Sequence, residues 1–113
     1  MGYDLFTQRD DLSRELSESI SAMERCGKDY AQKDSRYQIE LAETAARMKA
    51  DGETATMINL TIRGTGKVPK VRLDRDISEV MYQTAKEKIQ AVKLQLKLVE
   101  AQIEREWTQA RRV

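Results

Sequence analysis

From Tyr82 to Trp107 the chain reads YQTAKEKIQAVKLQLKLVEAQIEREW, and Tyr82, Ala85, Ile89, Val92, Leu96, Val99 and Ile103 follow one another at spacings that alternate between three and four. That is the seven-residue repeat of a coiled coil, with Tyr82, Ile89, Leu96 and Ile103 at position a and Ala85, Val92 and Val99 at position d. Glu87, Lys88, Lys93, Gln95, Lys97, Glu100, Gln102 and Glu104 fall off this seam, and no Gly or Pro interrupts the run, so an unbroken helix is expected. A second row, Leu73, Ile77, Val80, Ala91, Leu94, Leu98 and Ala101, recurs on another face of the same helix. One partner helix cannot cover both rows, so a further layer is expected, from this chain or from another copy.

An earlier run supplies the partner. Leu5, Leu12, Leu16, Ile20, Met23, Tyr30, Tyr37, Leu41 and Met48 form a second heptad-like row, with Gly27 and Asp34 at two of its positions and Asp4 or Thr7 available as the helix cap. Gly27 marks either a bend or a close approach of the two arms. Asp34, a charge on the seam, is expected either to snorkel beside it or to be matched by a Lys or Arg, with a functional carboxylate as the other reading. Asp51-Gly52 ends this arm, because Gly readily takes the left-handed position just past a helix.

The segment GETATMINLTIRGTG then reads as a short helix capped by Thr54 and ended by Gly64, with a strand through Ile58, Leu60 and Ile62 as the other reading of the same residues. Pro69, the only Pro, fits the first turn of the next helix. The expected fold is therefore all-α: one domain over residues 1–113, a long antiparallel helical hairpin of coiled-coil type. Arm 1 covers about 4–50, a lid helix about 54–63 and arm 2 about 69–110. Each arm spans roughly 60 Å at about 1.5 Å per residue. Folding about a centre near residue 60 pairs Tyr37 with Tyr82, Tyr30 with Ile89, Leu16 with Ile103 and Leu12 with Trp107, and lays the lid over Ile39, Ile77 and Val80.

Composition suits that shape. Of 113 residues 40% are hydrophobic, 5% aromatic and 35% charged, a mixture typical of long helices. With 20 basic and 19 acidic residues the net charge is +1, which provides no global attraction to nucleic acid or anionic membrane. No apolar run is long enough to span a bilayer, and no basic, apolar, small-residue leader is visible, so a soluble cytoplasmic protein without membrane contact is expected.

The chemistry is restricted by what the chain lacks. It has no His, which removes a His general base, a His metal site and the usual Ser-His or Cys-His pairs. Cys26 is single and reads as a small, partly buried side chain. The GTGK at Gly64–Lys67 lacks the full Walker spacing and the following Ser or Thr. No catalytic, cofactor or metal site and no small-molecule substrate is expected.

Two surfaces remain as candidates. Arg63, Lys67, Lys70, Arg72 and Arg75 flank a Gly-containing turn and a helix start, where backbone N–H groups favour anions; they are the candidate phosphate contacts, diluted by Asp74 and Asp76. Leu94 and Leu98, with Ala91 and Ala101, form the candidate face for a second copy or a protein partner. Trp107 is expected to anchor the open end by packing on Leu5, Phe6 or Leu12.

The order of a polar first helix, the segment TMINLTIRG and a second helix reading VRLDRDISEVMYQTAKEKIQAVKLQLKLVEAQIEREW resembles small helical proteins encoded in bacteriophages and prophages, chiefly of Gram-positive hosts. The likeness covers about Tyr30 to Trp107, with EAQIEREW (Glu100–Trp107) its most characteristic part and Pro69 a departure from it. It implies a two-arm helical fold and a phage origin, hence a bacterial-host cytoplasm, and supplies no catalytic residues or assigned activity. Some members occur near replication and recombination genes, which adds an accessory role on DNA to the expectation of a noncatalytic, self-associating or protein-binding protein.

Overall fold

A computed structural model describes residues 4–112. It is all-helical among those residues: α1 (Leu5–Ala50), α2 (Ala55–Thr61), a 3₁₀ turn (Ile62–Gly64) and α3 (Val68–Arg112). The two long helices pack together as a helical hairpin.

Each helix end has a local cause. Asp4 caps α1, its carboxylate accepting the Phe6 N–H at 2.8 Å and its carbonyl the Gln8 N–H at 2.9 Å. At the other end Gly52 has φ 89°, and its N–H donates to the Lys49 carbonyl while the Glu53 N–H reaches back to that of Met48. This paired pattern needs a left-handed residue at Gly52 and gives the exposed carbonyls of the last turn their partners. Thr54 caps α2 by accepting the Met57 N–H at 3.2 Å, so the helical reading of this segment holds and the strand does not form. Gly66, with φ 55°, turns the chain into α3, where Pro69 sits in the first turn.

The chain divides into two compact units, 1–24 with 83–113, and 25–82. In the first unit Ala85, Ile89, Val92, Leu96, Val99 and Ile103 of α3 are buried or half-buried, as the heptad predicts, and Lys86 and Gln102 beside the seam are half-buried too. From α1 come Leu5, Leu12, Leu16 and Met23, together with Ser19, which is only 3% exposed. Ser19 takes the seam position expected of Ile20, and Ile20 is turned out. The reason is spacing: strict alternation of four and three from Leu12 through Leu16 to Met23 passes through residue 19.

In the second unit the α3 seam continues backward in register through Tyr82, Ser78, Arg75, Val71 and Val68. Tyr30 stacks on Tyr82 with ring centroids 6.1 Å apart. Gly27 lies beside the same ring, an added Cβ falling 3.1 Å from Tyr82 Cε1, so this glycine marks a close approach and not a bend. Asp34 is matched, as expected, by Arg75 at 3.8 Å.

The pairing differs from the expected one by one heptad. Tyr30, not Tyr37, meets Tyr82, while Tyr37 lies under Arg75. In the first unit Leu12 shares a groove with Leu98 and Val99, and Leu5 and Phe6 share a hollow with Ile103 and Trp107. A seven-residue slip leaves every a and d residue on its seam, so periodicity alone does not select between the two registers.

The turn accounts for the slip. Extending the Tyr30–Tyr82 and Tyr37–Arg75 pairing places Val68, 0% exposed, level with Thr44, 1% exposed. α1 therefore runs past the start of α3; beyond that level Met48 is buried on α1, Ile62 is buried in the 3₁₀ turn and Ile58 half-buried in α2. The lid accordingly does not cover Ile39, Ile77 and Val80, all of which are exposed.

Candidate interaction surfaces

The basic turn is built by the 3₁₀ turn, Gly66 and the first turns of α3. Arg63, Lys67 and Lys70 are exposed and form no ion pair among the described residues. Arg72 lies 3.9 Å from Asp76, a contact between two half-exposed side chains that is worth little in water.

Arg75 departs from this group. It occupies an a position, and its side chain is only 21% exposed. The guanidinium lies over the Tyr37 ring, 4.3 Å from its centroid, and donates through Nε and a terminal nitrogen to Asp76 Oδ1 at 3.1 and 2.9 Å. Its hydrogen bond to Asp76 raises its pKa, against the pull of burial. Arg75 is thus engaged inside the second unit by Asp76, Tyr37 and Asp34, unlike the exposed Arg63, Lys67 and Lys70.

Polar seam residues were not visible in the apolar pattern. Ser78 donates to the Arg75 carbonyl at 2.7 Å. Thr44 donates to Glu40 at 3.2 Å and accepts from Arg47 at 2.9 Å. Counting back by sevens from Ile89 and Val92 would have found Arg75 and Ser78, since heptad position does not depend on residue type.

The second row of α3 falls at heptad positions c and f, which point away from the a/d seam. In the first unit it comprises Ala91, Leu94, Leu98 and Ala101, all exposed; Leu98 is 60% exposed although it borders the groove beside Leu12. In the second unit Leu73, Ile77 and Val80 are likewise exposed. No described residue of this chain covers either stretch. Single exposed apolar residues are ordinary, but a row repeating at helical spacing is not.

Trp107 is 61% exposed. It borders, with Leu5, Phe6, Ile103 and Ala110, a hollow of 710 Å³. It shares that hollow with the expected Leu5 and Phe6 without filling it, because the one-heptad slip moves Leu12 away to Leu98 and Val99.

Among the described residues, no group of three or more Asp, Glu or Cys is placed to hold a metal ion, and no helix is long and apolar enough to cross a membrane. Fold and surface together define an all-α helical hairpin that carries an apolar row on the outer side of its second long helix. No family model, no curated protein and no solved structure matches this chain.

Proposed function

We propose that this is a noncatalytic helical protein that acts by self-association or by binding another protein through Ala91, Leu94, Leu98 and Ala101. The observation that carries the reading is that Leu94 and Leu98, more than half exposed, repeat at helical spacing on a face that the hairpin leaves bare. Leaving such a row in water forgoes roughly 25 cal/mol per Å² of apolar surface, which a partner helix recovers. The phage or prophage origin and bacterial cytoplasm implied by the sequence resemblance belong to the same reading.

The test is a light-scattering mass and a circular dichroism spectrum for Leu94→Glu with Leu98→Glu. The mass is expected to fall while helix content stays. An assembly of unchanged mass argues against this face.

A second reading is supported by the basic turn, where Arg63, Lys67 and Lys70 stand exposed beside the start of α3. In it the protein assists phage DNA replication or recombination by touching phosphates. Fluorescence anisotropy of labelled single- and double-stranded DNA is expected to show binding that weakens steeply with salt, and weakens again when these three residues are replaced by Ala. Binding insensitive to both would remove this reading.

A further inference from the structure

We infer that the partner of the Leu94–Leu98 face is a second copy of the same face, lying antiparallel about a two-fold axis at the level of Leu96. The inference rests on the reading of that row as an interaction surface and adds the identity and register of its occupant.

From Thr84 to Thr108 the outward c and f positions of α3 are Thr84, Glu87, Ala91, Leu94, Leu98, Ala101, Arg105 and Thr108. All are exposed. Read from either end, this series pairs like with like or charge with countercharge. Two helices related by a two-fold axis at residue 96 place Leu94 on the partner's Leu98, Ala91 on the partner's Ala101, Glu87 on the partner's Arg105 and Thr84 on the partner's Thr108. Symmetry repeats each layer on the other side of the axis, as an isologous contact requires.

The layers have distinct physical roles. Two Leu–Leu layers form the apolar centre. The small Ala–Ala layers flanking it let the backbones approach closely, and the Glu–Arg layers close both ends with opposite charges. Glu87 forms no ion pair among the described residues. Arg105 holds Gln102, and its five-donor fork has donors left for a carboxylate.

Other registers lack this match. Sliding the pair by seven residues one way sets Glu87 against Leu98, and the other way sets Arg105 against Leu94. A parallel arrangement sets Glu87 against Glu87 and Arg105 against Arg105. The antiparallel pairing has one like-charge contact near its axis, Lys97 with its copy, and both side chains are exposed and flexible, so the repulsion is weak.

The test uses the full chain in a Cys26→Ser background. The parent is expected to show a mass about twice 13.0 kDa by light scattering as concentration rises. Glu87→Arg alone is expected to return it to 13.0 kDa, and adding Arg105→Glu to the same chain to restore the doubled mass. Register is read by mixing copies carrying only Ala91→Cys with copies carrying only Ala101→Cys under oxidising conditions. The mixed disulfide is expected, and neither self-disulfide, because like positions lie ten residues apart along the pair, about 15 Å.

A mass of 13.0 kDa at every concentration overturns the self-pairing and leaves the face to a different protein. A dimer that dissolves in Leu94→Glu with Leu98→Glu but cross-links Ala91→Cys to itself also overturns the pairing while sparing the face. A dimer unaffected by the two Leu substitutions overturns both.

Discussion

Replacing Arg75 by Ala separates a structural from a phosphate-binding role for the basic turn. The substitution removes a stacking contact on Tyr37 at 4.3 Å, worth about 1 kcal/mol for a partly exposed guanidinium. It removes the contacts to Asp76 at 2.9 Å and Asp34 at 3.8 Å; both carboxylates are more than a third exposed, so together they contribute about 1 kcal/mol. It also returns the inner part of the stem to water, at about 0.8 kcal/mol per buried methylene. Release of the ordered side chain offsets up to about 2 kcal/mol of this loss. The net expectation is a destabilisation of about 2 kcal/mol. With a urea dependence of about 2 kcal/mol per molar, the unfolding midpoint followed by circular dichroism should fall by about 1 M. Crossing Arg75→Ala with Tyr37→Leu should show a coupling of about 1 kcal/mol. On DNA, by contrast, Arg75→Ala should leave the salt dependence unchanged. A midpoint equal to that of the parent, joined to a shallower salt slope on DNA, would refute the placement of Arg75 as a seam residue.

Two further substitutions probe the seam. Ser19 Oγ is buried without a hydrogen-bond partner, whereas Ser78 Oγ donates to the Arg75 carbonyl. Ser19→Ala removes an orphaned hydroxyl and improves helix propensity, so it should raise stability by about 1–2 kcal/mol, with Ser78→Ala near neutral; a lowered urea midpoint for Ser19→Ala would show that its hydroxyl is bonded. Gly27→Leu should cost about 1–3 kcal/mol, because a Cβ at this position already lies 3.1 Å from the Tyr82 ring and a larger side chain must displace the Tyr30–Tyr82 stack. Near-ultraviolet circular dichroism of the tyrosines reads that displacement, and a Gly27→Leu chain as stable as the parent with an unchanged tyrosine signal would contradict the close approach.

Much of the local structure was legible from residue types. Asp4, Thr54 and Gly52 act on the backbone within a few residues of themselves, so their capping roles need no knowledge of the fold. The α3 seam from Tyr82 to Ile103 was equally plain, since an apolar repeat near 3.5 residues has one helical reading. The same signal failed where the seam is polar. Ser19, Thr44, Arg75 and Ser78 occupy interior positions with side chains that an apolar pattern does not reveal, and Arg75 stands in sequence among basic residues that are exposed.

What the sequence determined by itself, then, is two long helices, a capped lid between them, the face that each turns inward and the row left over on α3. The tertiary structure alone decided which heptad faces which. A slip of seven residues changes no side chain's face, so the choice falls to contacts between segments distant in sequence: the room that Gly27 makes for Tyr82, the ion pair of Arg75 with Asp34 and its stacking on Tyr37, and a turn in which α1 overruns the start of α3. That choice set Trp107 beside Leu5 and Phe6 and placed Tyr37 and Asp34 against Arg75. Periodicity states which way a side chain points, and only packing across the hairpin states what it meets.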